Sequence, residues 1–363
     1  MTDSGATRTI DYSALTAPVS REEAKMFRAQ ARMQPAYAST SNVGAVIVVA
    51  VVASFFLFAF IGIASSFAQL ITDLAQRGGG AGLIPAIVIP LIIGAALVLT
   101  GIGVFRSVTG GSGRWANWLR MTRFAAANGL VFAPHDTDPA YPGAIFGQGR
   151  SRTVLNHFRS ADGRFFDFGS YRYVTGSGKS QTTHNWGFLA LSLDRALPNM
   201  VLDSKANNGV FGGTNLPASF DKSQVLSLEG DFDKYFTLYC PKEYERDALY
   251  VFTPDLMALL IDEASPFDVE IVDKWMFVYS AAAFPPVEPT VYQRLFRIID
   301  TVGAKTITQT DRYVDERVAN FAANIVAPQG QRLKRGFSIG GLVIVVLVAV
   351  YWIGSFVYPL FSR

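Results

Sequence analysis

The sequence has little of the chemistry that catalytic and redox sites commonly use. It contains one cysteine, Cys240, and three histidines in 363 residues. A single cysteine excludes an intrachain disulfide, and no Asn-x-Ser/Thr acceptor for N-glycosylation is present. Both absences fit a cytoplasmic setting for the folded part of the chain, which we therefore expect.

Charged residues are also scarce, and three runs have none. Charged residues make up 17% of the chain and hydrophobic ones 50%. The runs 43–71, 83–105 and 337–361 are each long enough to cross a hydrocarbon core of about 30 Å as a helix. The sequence therefore predicts three transmembrane helices at these positions, anchoring an α+β domain.

Basic residues lie beside these runs on one predicted side. They are Arg21, Lys25, Arg28, Arg32, Arg106, Arg114, Arg120, Arg123, Arg332, Lys334 and Arg335. The positive-inside rule then predicts a multi-pass inner-membrane protein with a cytoplasmic N-terminus and middle domain, and with the C-terminus outside. This charge placement favours anionic lipid headgroups, not nucleic acid, as the partner.

Two segments are predicted to lie at the membrane surface. A capping box of Ser20 and Glu23 starts the basic amphipathic helix at 20–42. Its cations share one face, which we expect to contact anionic lipid, although a solvated face is the alternative; they are Arg21, Lys25, Arg28 and Arg32. The second segment, 106–128, carries two tryptophans among arginines, as an interfacial helix would, and packing on its own domain is the alternative. Its predicted surface residues are Trp115, Trp118, Arg120 and Arg123.

The middle of the chain, residues 129–289, reads as a mainly antiparallel sheet with flanking helices. Short aromatic and β-branched segments are separated by turn residues. They are Thr153–Phe158, Phe165–Val174, Thr182–Asp194, Val225–Glu229, Tyr235–Cys240 and Phe267–Tyr279. The alternation slips near Gly169, which predicts a β-bulge.

The ends of this domain have other patterns. Residues 1–19 are polar and small, and we expect a disordered tail. Pro254 at the first position of an apolar run predicts a helix after Thr253. Residues 290–335 are predicted to be helical, either as two short helices separated at Gly303 or as one helix with a break there. The second set of apolar positions in that segment is Val314, Val318, Phe321 and Ile325.

The Gly178-Lys179-Ser180 tripeptide matches the end of a phosphate-binding loop. The full motif needs a glycine at position 173, which is tyrosine, and a helix after the serine. Residues 181–194 read as a strand, so a hairpin tip is the better interpretation. No cofactor is predicted.

A metal or acid–base site has weak candidates. His157 and His184 lie on predicted neighbouring strands, and Asp231 and Asp233 flank a turn. Ordinary strand histidines and a charged turn are the alternatives. The residues predict no catalytic cluster, and the chain is more typical of a non-enzyme.

Several short segments resemble a family of uncharacterised bacterial multi-span membrane proteins with a cytoplasmic α+β domain. They are 197–203 (LPNMVLD), 227–232 (SLEGDF), 239–241 (YCP) and 252–257 (FTPDLM). The resemblance covers roughly residues 124–280 and implies the architecture alone, with no activity and no site residues.

Together these features predict binding, scaffolding or regulation at the inner membrane, with a protein partner or a homo-oligomer as further options. A membrane-bound hydrolase or metal-dependent enzyme is one alternative. An oligomeric channel or transport component is the other.

Overall fold

The computed structural model describes residues 9–37, 111–137, 139–208, 214–320 and 323–336, with short stretches between residues 54 and 100 and at 348–349. By internal contacts the chain divides into two units. The helical unit is Val19–Leu119, and the sheet unit is Met1–Pro18 with Arg120–Arg363.

The three-span architecture is not supported. Within the described parts of the chain, no helix combines the length and apolarity that crossing a bilayer requires. The predicted spans 43–71, 83–105 and 337–361 lie mostly outside the described residues. The predictions of three transmembrane helices and of a multi-pass inner-membrane location with an outside C-terminus are contradicted by this finding.

The α+β part of the predicted fold is confirmed. Helices with described bounds are α1 Ser13–Thr16, α2 Arg21–Ala31, α3 Gly111–Ala127, α4 Phe232–Tyr235, α5 Glu245–Val251, α6 Pro254–Leu259, α7 Pro289–Ile298 and α8 Ala304–Thr310. π-Helical turns follow α6 and α7, at Leu260–Ala264 and Ile299–Gly303. The strands are β1 Leu130–Thr137, β2 Arg150–Ser160, β3 Phe166–Thr175, β4 Thr182–Ser204, β5 Val225–Leu226, β6 Phe236–Tyr239 and β7 Asp268–Ser280.

The described strands form one seven-stranded antiparallel sheet in the order β1-β2-β3-β4-β6-β5, with β7 also paired to β4. Strand β4 is the central strand of this sheet. With 23 residues, β4 pairs first with β3, then with β6, and with β7 along most of its length. Strands β3, β6 and β7 are therefore all hydrogen-bonded to this one strand.

Aromatic side chains fill both faces of the sheet. On one face, Phe296 of α7 packs on Phe168 of β3, with ring centroids 5.5 Å apart. On the other face, Phe146 covers Tyr171 and Phe188, at 4.7 and 5.4 Å. This alternation of buried residues along β3 follows from the two-residue period of a strand. The segment 139–149 that carries Phe146 is thereby held against the sheet.

Two predicted boundaries change. From residue 9 onward the N-terminal segment is ordered, because Leu15 is buried and Asn128 Nδ2 donates to the Asp11 carbonyl at 2.9 Å. The predicted helical seam after residue 310 is not a helix: α8 ends at Thr310, and residues 311–320 form turns and bends.

Candidate functional site

The capping box that the sequence predicts is present at the start of α2, but the helix ends at Ala31 and does not extend to residue 42 as predicted. The Ser20 hydroxyl accepts from the Glu23 N–H at 3.1 Å, and the Glu23 carboxylate accepts from the Ser20 N–H at 2.8 Å. This capping box fixes the first turn of the helix. The four cations are all exposed: Arg21, Lys25, Arg28 and Arg32.

An aromatic cluster holds this face in place from within the helical unit. Phe27 of α2 makes an edge contact with Trp115 and with Tyr37, at ring-centroid distances of 6.2 and 5.7 Å. Ala24 and Ala31 of α2 are buried beside it. The helix therefore buries one side and keeps its cations in solvent, as amphipathic packing requires.

The two tryptophans occupy a different place from the one predicted. Trp115 and Trp118 are each only 3% exposed, and their rings make an edge contact at 4.9 Å. The Arg28 guanidinium lies over Trp115, and that of Arg114 over Trp118. Interfacial tryptophans must reach the headgroup layer, so this burial does not fit the predicted surface role. They support the basic face from inside.

The remaining predicted basic residues differ in exposure. Arg120 and Arg123 of α3 are half-buried, and Arg120 Nε donates to the Ala17 carbonyl at 2.8 Å. The side chains of Arg332, Lys334 and Arg335 are exposed.

The backbone of this second basic segment is held rigidly. The Lys334 N–H donates to Gln224 Oε1 at 2.9 Å, and the Lys334 carbonyl accepts from the Asp221 N–H at 3.0 Å. Arg335 forms a β-bridge with Phe220. The segment therefore presents cations on a fixed backbone, like α2.

The weak candidates for a metal or acid–base site have separate surroundings. His184 accepts or donates a hydrogen bond with Thr175 Oγ1 at 2.8 Å and stacks on Tyr173. Asp231 pairs with Lys234, and Asp233 caps the turn at Leu228. These residues have separate sets of partners from those of His157. Among the described residues, no group of three or more His, Cys, Asp or Glu side chains is placed to hold a metal ion.

His157 instead belongs to a buried network that the sequence did not predict. Its Nδ1 lies 2.9 Å from Asp167 Oδ1, and neither residue is more than 1% exposed. Arg159 Nε donates to Asp167 Oδ2 at 3.1 Å, and the Tyr141 hydroxyl donates to the same oxygen at 2.7 Å. Arg159 also pairs with Asp136 at 2.8 Å. Burial and the charge of Asp167 raise the pKa of Tyr141, which keeps its hydroxyl protonated as a donor.

A β-bulge places His157 in this network. The register of β2 against β3 shifts between Leu155 and Phe158, so that Asn156 and His157 together oppose Gly169. Asn156 has a positive φ of 49°, and a Cβ on Gly169 would lie 2.5 Å from that of His157. The predicted bulge thus occurs on the neighbouring strand, across from Gly169.

The chemistry of this network is structural. A His–Asp pair becomes an acid–base catalyst when the other ring nitrogen reaches a nucleophile or substrate. Nε2 of His157 is buried and has no hydrogen-bond partner among the described residues. The Cys240 thiol is buried too, and desolvation raises its pKa to about 12, so it stays protonated.

Glu270 centres a second buried network under the segment 139–149. Its Oε2 accepts from the Ala144 N–H at 2.6 Å and from the Tyr279 hydroxyl at 2.7 Å, and its Oε1 from Asn199 Nδ2 at 3.0 Å. Burial raises the pKa of Glu270, and these three donors counteract the rise. A Cβ on Gly143 would lie 2.1 Å from the Tyr279 hydroxyl oxygen, so the close approach requires glycine.

Comparison with known proteins gives little beyond this geometry. No protein-family model matches the chain, and no curated protein matches it. A crystal structure of the mycobacterial trehalose monomycolate transport factor A is similar over 53% of this chain and 90% of that one, with 12% identity and a TM-score of 0.31. A likeness this weak supports no inference about function.

Proposed function

We propose that the protein is a binding or scaffolding protein that docks on anionic lipid headgroups through the basic face of α2. The observation that carries this proposal is the exposure of Arg21, Lys25, Arg28 and Arg32 on one side of a capped helix. The residues of the sheet unit supply a rigid α+β body and no complete catalytic set among the described residues.

The charge of α2 is available to an outside partner. The helix and its C-cap carry four cations against two acids, Glu22 and Glu23, so the net charge is positive. Met26 is 65% exposed and Met33 88%, so apolar side chains are also accessible at this helix. Each Lys or Arg near an anionic surface contributes about 1 kcal/mol of attraction.

Vesicle co-sedimentation of the full chain tests the proposal. We expect binding to vesicles of phosphatidylcholine with phosphatidylglycerol and weak binding to phosphatidylcholine alone. Replacing the four α2 cations by glutamine removes about 4 kcal/mol of attraction, so the partition coefficient should fall by roughly two to three powers of ten.

The matched control replaces four exposed cations of the sheet unit by glutamine: Arg172, Lys179, Lys242 and Arg246. It changes the net charge equally and should leave most binding intact. Equal losses in both variants would show that net charge alone attracts the protein, and undiminished binding of the α2 variant would refute the docking face. Circular dichroism of each variant checks that α2 remains folded.

A further inference from the structure

Buried oxygen atoms gather where β4 ends and β7 begins. Asp203 and Ser204 close β4, and Asp268 opens β7. The Ser204 N–H donates to Asp268 Oδ1 at 2.8 Å, and the Thr214 hydroxyl donates to Asp203 Oδ1 at 2.9 Å. Asp203 is 4% exposed and Asp268 0%, so two carboxylates share one buried corner of the sheet.

Three asparagine side chains line the same corner. Asn207 Nδ2 donates to the carbonyl of Pro266, two residues before Asp268, at 3.4 Å. Asn215 Nδ2 donates to the Asn207 carbonyl at 3.4 Å, and the Asn208 side chain hydrogen-bonds to Asp203.

Four other side-chain oxygens of this corner have no donor among the described residues. Asp268 Oδ2 is fully buried without a hydrogen-bond partner in the described part of the chain. The same holds for Oδ1 of each of the three asparagines, 207, 208 and 215. Buried polar atoms in native proteins nearly always have a partner, so four unpartnered oxygens in one corner point to a positively charged ligand.

The surrounding charges do not supply that ligand. Among the described residues, neither Asp203 nor Asp268 forms an ion pair with a lysine or arginine, although Lys205 lies near enough to lower the pKa of Asp203. The Asn207 side chain also lies within hydrogen-bonding reach of the Asp268 carboxylate. A buried carboxylate without a compensating charge takes up either a proton or a cation.

We propose that this corner binds one divalent hard cation of the calcium class, with ligands from Asp203, Asp268, Asn207, Asn208 and Asn215. Carboxylate and amide oxygens are calcium ligands, and water can complete the six to eight positions that the ion prefers. The absence of histidine and cysteine from this ligand set disfavours zinc and the softer metals. Magnesium would keep most of its own waters and leave the amide oxygens unused.

Terbium luminescence of the full chain tests the site, since Tb³⁺ replaces Ca²⁺. Tyr239 lies near Asp203, since burial and the charge of Asp203 both raise the pKa of the Tyr239 hydroxyl, and its ring is therefore placed to sensitise the emission. After treatment with chelator, we expect sensitised emission that saturates at one ion per chain and is displaced by Ca²⁺. Ca²⁺ should also raise the unfolding temperature of the wild type, because it binds the folded state.

Asp268→Asn and Asp203→Asn should each abolish the emission and the shift in unfolding temperature. Asn215→Ala should weaken Ca²⁺ displacement without removing a buried charge, which keeps the test valid if a carboxylate variant folds poorly. The control is Asp231→Asn with Asp233→Asn at the acidic turn, which should bind as the wild type does.

The proposal is overturned by the absence of emission in the wild type, by full emission in Asp268→Asn, or by unchanged Ca²⁺ displacement in Asn215→Ala. Loss of emission in the control variant would assign the ion to the acidic turn instead. None of these outcomes depends on vesicle binding, so this site and the docking face of α2 can fail separately.

Discussion

Helix α2 and the sheet differ in the exposure of their charged side chains. The four cations of α2 are exposed, whereas four carboxylates of the sheet are buried: Asp167, Asp203, Asp268 and Glu270. Asp194 of β4, at 54%, is one that is exposed. The four buried acids are not exposed to an external cationic surface. The proposed attraction to anionic lipid therefore rests on the exposed helix.

The buried acids also differ among themselves. Asp167 accepts hydrogen bonds from His157, Arg159 and Tyr141. Asp268 has the Ser204 N–H on one oxygen and no partner on the other among the described residues. The Asp167 carboxylate therefore has donors on both oxygens, whereas one oxygen of Asp268 has none among the described residues.

The largest effect should come from breaking the saturated network. Asp167→Asn leaves His157, Arg159 and Tyr141 without their shared charged acceptor, and we expect the free energy of unfolding to fall by about 3 kcal/mol or more. Urea denaturation measures it. Asp194→Asn is the control, because Asp194 is 54% exposed in its pair with Arg164, and such pairs contribute less than about 1 kcal/mol. Equal small losses in the two variants would remove the distinction between buried and exposed pairs.

An effect of the opposite sign should follow Asp268→Asn in the absence of divalent ions. The pKa of Asp268 is raised from 3.8 to about 7 in the folded state, so between these values the folded state binds more protons than the unfolded state. Stability from this group is present below pH 4 and is lost as the pH rises toward 7. At pH 8 the variant should be more stable than the wild type, because each tenfold difference in proton affinity between the folded and unfolded states corresponds to about 1.4 kcal/mol.

Thermal unfolding between pH 4 and 8, with chelator present, measures this difference. Asp203 and Glu270 also have raised pKa values, so the wild-type profile contains their contributions and only the difference between the profiles reports Asp268. Parallel profiles for wild type and variant would contradict the assignment.

The smallest effect should come from the second basic segment. Replacing Arg332, Lys334 and Arg335 by glutamine keeps the backbone bonds to Gln224 and Asp221, so the fold should not change. Asp221 lies near Lys334 and partly offsets its charge. We expect the vesicle partition coefficient to fall by about tenfold or less. A greater loss than in the α2 variant would place the docking face here.

The sheet was largely predictable, because its strands alternate and end at turn residues. Strand β1 was missed: its sequence LVFAPHDT contains a proline and polar residues, so little alternation is visible. The spacing of Val314, Val318 and Ile325 matches that of a helix, but these residues do not form one. Asp315 explains this, since its carboxylate accepts from the N–H groups of Arg317 and Ala327 and from the Tyr244 hydroxyl, which stabilises a turn.

The basic helix could be predicted from the sequence, but the buried networks of the sheet could not. A capping box and basic residues at helical spacing are local patterns, so α2 could be predicted from the sequence. The pairing of His157 with Asp167 depends on a bulge and a strand register, and the carboxylate corner joins residues 203 and 268 across two strands. Such contacts have no signal in a single sequence.

The most direct test of the central claim is the binding of the unmodified full chain to vesicles as the phosphatidylglycerol fraction and the sodium chloride concentration are varied. Docking through the exposed cations of α2 predicts a partition coefficient that rises steeply with anionic lipid and falls with salt. Equal binding to neutral and anionic vesicles, or binding that salt leaves unchanged, would contradict it.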